Sequence, residues 1–187
     1  METVSFTRME DGTKEEYTYI TELETTYANN IADRVLDYFR DLNQTLEGYA
    51  ITRQQHGLQS ATRALRDGAD EEMVVATLLH DIGDALASNN HGEFAASILR
   101  PYVSEETYWI VKHHGIFQAW YYAHHLGGDR NARDRYRDHP CYKATVDFCH
   151  KWDQTSFDPD YDTLPLEHFE PMVRRIFARD PFLYDRR

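Results

Sequence analysis

The sequence of 187 residues predicts an all-α fold, a single helical bundle. Three observations predict it. Apolar residues recur at three- and four-residue steps along most of the chain, cap-forming residues punctuate those runs, and no alternating stretch of strand length interrupts them. A chain of this length can bury a core without disulfides, so residues 1–187 read as one domain.

The first dozen residues are polar and read as an arm or a short hairpin. From about Ile20 to Asn43, the residues Ile20, Leu23, Tyr27, Ile31, Val35, Leu36 and Phe39 form one apolar stripe, which predicts a long first helix. A second helix is predicted from Ile51 to Arg66, stopping at Asp67-Gly68, where glycine accepts a left-handed cap. Asp70 opens a third: Glu71 and Glu72 suit its positive end, and Val74, Val75, Leu78 and Leu79 suit a buried face. Further helices are predicted from Gly92 to Leu99, from Ser104 to His113, from Gly115 to His125, from Pro140 to Trp152 and from Leu166 to Arg179. Ser104-Glu105-Glu106-Thr107 has the form of a helix N-terminus, whereas Gly127-Gly128-Asp129 and Phe157-Asp158-Pro159-Asp160 read as loops.

A net charge of -12 argues against nucleic acid or an anionic membrane as partner, since phosphate surfaces demand a basic face. A small molecule is the remaining default. No charged-then-apolar leader and no apolar run of about 18 residues appears, so the expected location is the cytoplasm. Cys141 and Cys149, eight apart on one predicted helix, read as reduced thiols.

The chemistry is concentrated around Leu79-His80-Asp81-Ile82-Gly83-Asp84, where the third helix ends. A metal ion needs several lone pairs converging on one point, and adjacent His and Asp supply an imidazole nitrogen and a carboxylate able to bridge two ions. His56 lies upstream; His91, the pair His113-His114 and Asp153 lie downstream. His124, His125, His139, His150 and His168 have no such company and read as ordinary hydrogen-bonded histidines.

The ordered set His56, His80-Asp81, His91, His113 and Asp153 resembles the HD-domain superfamily of helical metalloproteins. More narrowly, Gln55-His56-Gly57-Leu58-Gln59, Leu79-His80-Asp81-Ile82-Gly83 and Lys151-Trp152-Asp153 resemble the phosphonate-cleaving HD-domain oxygenases. The resemblance covers about residues 46–157, with an N-terminal helix and arm over 1–45 and a C-terminal helix and tail over 158–187. It implies a buried dinuclear site in which two irons, as a mixed-valent Fe(II)/Fe(III) pair, are held by His56, His80, Asp81, His91, His113 and Asp153. Asp81 is the bridging, catalytic carboxylate in that scheme. His113 is preferred over His114 because Ile110-Val111-Lys112-His113 matches the family's Ile-x-x-His. His114 remains the fallback, or a contact to the ligands or the substrate.

The implied reaction is dioxygen-dependent cleavage of a C–P bond, with O2 as cosubstrate and a small phosphonate as partner. Some positions depart from the family pattern. Leu46 and Tyr49 stand where it has Tyr and Glu, and Tyr49 is the candidate for the open iron position or a substrate contact. Asp84 replaces a histidine, and Phe117-Gln118 stands where a phosphonate-binding Lys is found. Phosphonate binding then falls to the metals, to Gln118, or to Arg130 and Arg133. Phe117, Trp120, Tyr121 and Tyr122 offer an aromatic wall that, with Asp84, would suit a trimethylammonium group at roughly 0.5–2 kcal/mol per contact. This resembles the branch acting on (R)-1-hydroxy-2-(trimethylammonio)ethylphosphonate, with glycine betaine and phosphate as products.

Two other readings use the same residues. A metal-dependent HD phosphohydrolase acting on a nucleotide or phosphomonoester would generate hydroxide without oxygen. A degenerate HD module would bind no metal at all.

Overall fold

The computed structural model describes residues 2–44 and 47–181, and among them it is all-helical with no strand. Eight α-helices follow one another: α1 (Lys14–Asn29), α2 (Ile31–Asp41), α3 (Arg53–Arg66), α4 (Glu71–Leu79), α5 (His91–Leu99), α6 (Glu105–Tyr122), α7 (Tyr142–Phe148) and α8 (Leu166–Phe177). Leu46 lies outside the described residues. None of the described helices is long and apolar enough to cross a membrane.

Local chemistry fixes the helix starts. Thr13 with Glu16, and Thr52 with Gln55, form reciprocal capping boxes on α1 and α3. Asp70 accepts the Met73 N–H and Ser104 the Thr107 N–H, so α4 and α6 begin where the sequence predicts. α3 packs on α4 and α5 on α6, while α8 closes the bundle against α2 and α4. Leu36, Phe39, Val74, Val75, Leu78, Leu79, Leu99, Val111, Phe169 and Val173 form the shared core. A smaller apolar cluster of Ile110, Phe117, Phe148 and Cys149 joins α6 to α7. Cys141 and Cys149 are both free thiols, the second fully buried.

Several expected boundaries move. The long first helix is two, divided at Asn30, whose backbone (φ -91, ψ 20) leaves the helical region. Leu23 and Tyr27 are exposed, so the buried part of the stripe begins only at Ala32. The two helices expected on either side of His114 are one, because the backbone ladder of α6 runs through Gly115. The helix expected over Pro140–Trp152 is shorter, and it widens into a π turn over Cys149–Asp153 with Gln154 N–H bonded to Cys149 O at 3.0 Å. In place of a hairpin, the N-terminal arm carries a 3-10 turn over Met9–Asp11.

Two glycines allow the close packing that brings the functional side chains together. A Cβ on Gly57 would lie 2.6 Å from Leu78 O and 2.9 Å from the Phe39 ring, so α3 approaches α4 as only glycine permits. A Cβ on Gly92 would lie 3.0 Å from Val111 O, which sets α5 equally tightly on α6.

Candidate metal centre

Four histidines converge from different elements: His56 from α3, His80 from the end of α4, His91 from the start of α5 and His114 from the middle of α6. One device orients all four. Nδ1–H donates to a backbone carbonyl: Ser156 for His56 (2.8 Å), Thr77 for His80 (2.7 Å), Ser88 for His91 (3.3 Å) and Val111 for His114 (2.7 Å). In a neutral ring this places the proton on Nδ1 and leaves a lone pair at Nε2.

The four Nε2 atoms meet in two pairs. His56 and His80 face each other at 3.2 Å, and His91 and His114 do so at 3.2 Å. Two lone pairs at that separation repel unless a positive charge lies beside them. Asp81 stands between the pairs: its Oδ1 is 3.1 Å from His114 and 3.4 Å from His91, and its Oδ2 is 3.5 Å from His56 and 3.7 Å from His80. The π turn delivers Asp153 to the first pair, with Oδ1 at 3.3 Å from His56 and 3.7 Å from His80. Asp153 Oδ2 is buried with no hydrogen-bond donor among the described residues.

These residues fit metal. His56, His80 and Asp153 with Asp81 Oδ2 offer one donor set, and His91 and His114 with Asp81 Oδ1 offer a second, more open one. The orphaned Asp153 oxygen and the facing lone pairs both call for cations. Nitrogen and carboxylate donors suit iron, manganese, cobalt or zinc. Electrostatics agree: burial pushes both carboxyls up, but His80, His114 and His56 hold Asp81 well below the ordinary carboxylate range, and His56 and His80 hold Asp153 below it as well. Burial in turn disfavours charge on His56 and His80, and the two carboxylates overcome this and raise both imidazoles. The cluster favours positive charge at its centre.

Comparison with known proteins adds a relative. The chain is 26% identical over 159 residues to the [1-hydroxy-2-(trimethylamino)ethyl]phosphonate dioxygenase (glycine-betaine-forming) of Leisingera caerulea. The match covers 69% of this chain and 81% of that enzyme. No protein-family model matches the chain.

His113 is not part of the cluster. Its Nδ1 donates to Trp109 O at 2.9 Å, and its ring stacks on the Trp109 indole with centroids 4.1 Å apart, on the far side of α6 from Asp81. Burial there lowers its pKa. His114, one residue on and 100° round the helix, is the imidazole that meets His91 and Asp81. The buried residues of α6 are Thr107, Ile110, Val111, His114 and Phe117, so helical periodicity alone carried the signal for His114.

A cavity of about 460 Å³ opens onto the cluster. Tyr49, Asp84, Gln118, Tyr121 and Tyr122 are among the residues that line it. Gln118 Nε2 donates to Asp153 Oδ1 at 3.0 Å, so its amide orients a candidate ligand. Phe117 is buried against Trp109, Tyr136 and Tyr142 instead, and Trp120 faces away under Arg130 and Arg133 at 4.1 and 4.8 Å. Those two arginines therefore do not line the cavity.

Sequence reasoning missed Phe157 and Arg53. Phe157 stacks on His56 with centroids 4.5 Å apart and on Tyr49 at 5.4 Å, forming a roof. Gln59 pins that roof by donating from Nε2 to Asp158 O (2.7 Å) and accepting Asp158 N–H (3.1 Å) at Oε1. Arg53 lies one turn before His56 on the same helix face, with Nε 2.5 Å from Asp84 Oδ2 and Nη1 3.7 Å from Asp81 Oδ2. Burial opposes the Arg53 charge, and Asp81 and Asp84 outweigh it and keep the guanidinium firmly ionised. Asp84 is thus engaged with Arg53 and does not stand as a lone anion in the cavity.

Proposed function

We propose that this chain is a non-haem diiron oxygenase that cleaves the C–P bond of a 1-hydroxy-2-aminoethylphosphonate-type substrate. The substrate we assign is (R)-1-hydroxy-2-(trimethylammonio)ethylphosphonate, and the products are glycine betaine and phosphate. The observation that carries this reading is Asp81, whose two oxygens each face a pair of imidazole Nε2 atoms. The relative from Leisingera caerulea supports the same reaction class.

The ligands in this account are His56, His80, Asp81, His91, His114 and Asp153, with His114 in place of the expected His113. When bound, a mixed-valent Fe(II)/Fe(III) pair would supply the redox chemistry, with O2 as cosubstrate. The reaction balances with no other reductant: a hydroxyphosphonate plus O2 gives a carboxylate, hydrogen phosphate and a proton, as C1–H and C1–P both break. Chain residues supply position and exclusion of water. The carbonyls that accept the four Nδ1–H groups fix each ring, and Gln118 fixes Asp153. The Tyr49–Phe157 roof shields His56 from solvent. Tyr121 and Tyr122 offer ring faces to a trimethylammonium group, which cannot donate a hydrogen bond.

The test is release of phosphate and glycine betaine from that phosphonate by iron-loaded protein, run with and without dioxygen. Release that needs both iron and oxygen is expected. Oxygen-independent release, from this substrate or from a nucleotide panel, would assign the chain to the phosphohydrolases instead.

A further inference from the structure

The geometry points to Arg53 as the residue that binds the substrate's tetrahedral anion. This rests on the reading of the cavity as the substrate site, and it names the side chain that recognises the phosphonate. Neither family position nor sequence pattern suggested Arg53.

The argument begins with charge. A phosphonate at neutral pH carries between one and two negative charges, and a cavity that already holds Asp81, Asp84 and Asp153 repels it unless cations answer. Bound metals answer in part. Among the described residues lining the cavity, Arg53 is the lone Lys or Arg. The two arginines that the sequence offered for this purpose, Arg130 and Arg133, lie over Trp120 and outside the cavity wall.

Geometry makes the second step. Arg53 sits one helical turn before His56, so its side chain runs alongside a candidate metal ligand toward Asp81, with Nη1 3.7 Å from Oδ2. An anion held beside the Asp81 cluster would lie within reach of this guanidinium. Asp84 holds it there at 2.5 Å and itself lies 3.6 Å from His91 Nδ1. The Tyr49 ring lies 4.8 Å below the guanidinium carbon and closes its other face. The side chain is 14% exposed, and its position is set from three sides.

Hydrogen bonding makes the third. Asp84 Oδ2 engages Arg53 Nε at 2.5 Å, whereas Nη1 lies 3.7 Å from Asp81 Oδ2, beyond hydrogen-bond distance of that carboxylate. A tetrahedral oxyanion supplies acceptors in the forked geometry that guanidinium prefers. A cation here also sorts the two ends of a zwitterion. The phosphonate lies toward Arg53 and the metals, which leaves the Tyr121 and Tyr122 side chains of the same cavity to the trimethylammonium.

Binding of methylphosphonate and of inorganic phosphate to iron-loaded protein, measured by titration calorimetry in oxygen-free buffer, tests this apart from catalysis. Arg53→Gln is expected to weaken both by on the order of 10- to 100-fold at unchanged iron content, with Arg53→Lys between it and the parent. Asp84→Asn, which releases the guanidinium from its carboxylate, is expected to tighten both severalfold, and this serves if the Arg53 variants fold poorly. Affinity unchanged in Arg53→Gln, or weakened in Asp84→Asn, would overturn the assignment. Loss of binding in Arg53→Gln, together with phosphate release that needs no oxygen, would keep the anion site and reject only the oxygenase reading.

Discussion

His91 and His114 point their Nε2 atoms at each other across 3.2 Å, each ring having donated its Nδ1–H to a backbone carbonyl. Two such acceptors share no proton when both rings are neutral, so the pair is a candidate cation site, with Asp81 Oδ1 at 3.1 and 3.4 Å as its third donor. The first prediction concerns the neighbouring histidines. His114→Ala is expected to lose on the order of one metal equivalent per chain, because it removes one of three protein donors to that site. His113→Ala is expected to keep both metals, since its ring packs on Trp109 and Tyr136 and not on the cluster. Elemental analysis of the two purified variants decides between them, and the reverse result would restore His113 as ligand.

Gln118 reaches Asp153 with its amide at 3.0 Å, an orienting contact to a candidate ligand. Gln118→Leu is expected to weaken metal affinity by roughly 10- to 100-fold while leaving the fold intact. Competition with a chelator measures the affinity, and circular dichroism the fold.

Gly57 carries the approach of α3 to α4, and a methyl there would collide with Leu78 O at 2.6 Å. Gly57→Ala is expected to cost about 1–3 kcal/mol in denaturant unfolding, because backbone and not a flexible side chain stands in the way. The neighbouring change Ser60→Ala adds no atoms, and its cost is expected to be smaller.

Glu72 ties α4 to α6 and α8. It accepts the Ser104 N–H and the Thr107 hydroxyl, each at 2.8 Å, and pairs with Arg179. Burial pushes its carboxyl up, but these donors prevail and lower it to about 2. The folded pKa is depressed, so the contribution is complete above pH 4.5 and is lost as pH falls toward 2. Glu72→Gln is expected to cost roughly 1 kcal/mol at pH 7, discounted for partial exposure, and less at pH 3. Thermal unfolding at the two pH values checks the sign.

Helix positions were legible where caps were strong. Asp70 and Ser104 mark helix starts in the sequence, and the backbone follows them within two residues. Five of the six expected ligands also converge: local signals put His80 and Asp81 at a helix end and His56 on a buried helix face, while His91 and Asp153 are brought in by packing. At the sixth, the cluster holds the fallback His114 and not His113, because the periodicity of Ile110, Val111 and Phe117 buries His114 where Ile-x-x-His points to its neighbour. What the sequence could not disclose depends on distant partners. Arg53 meets Asp84 only once α3 packs beside the turn after α4, and Phe157 covers His56 only because Gln59 captures the loop at Asp158 from nearly a hundred residues away. The π turn that delivers Asp153 has no propensity signal in Cys149–Asp153 and arises from packing against α3 and α6.

The most direct measurement is phosphate released from (R)-1-hydroxy-2-(trimethylammonio)ethylphosphonate by metal-free protein titrated with iron, with and without dioxygen. The account predicts no release without oxygen, and with oxygen a rate that climbs until two irons are bound per chain and then levels. Release without oxygen, or a rate that saturates at one iron per chain, would contradict it.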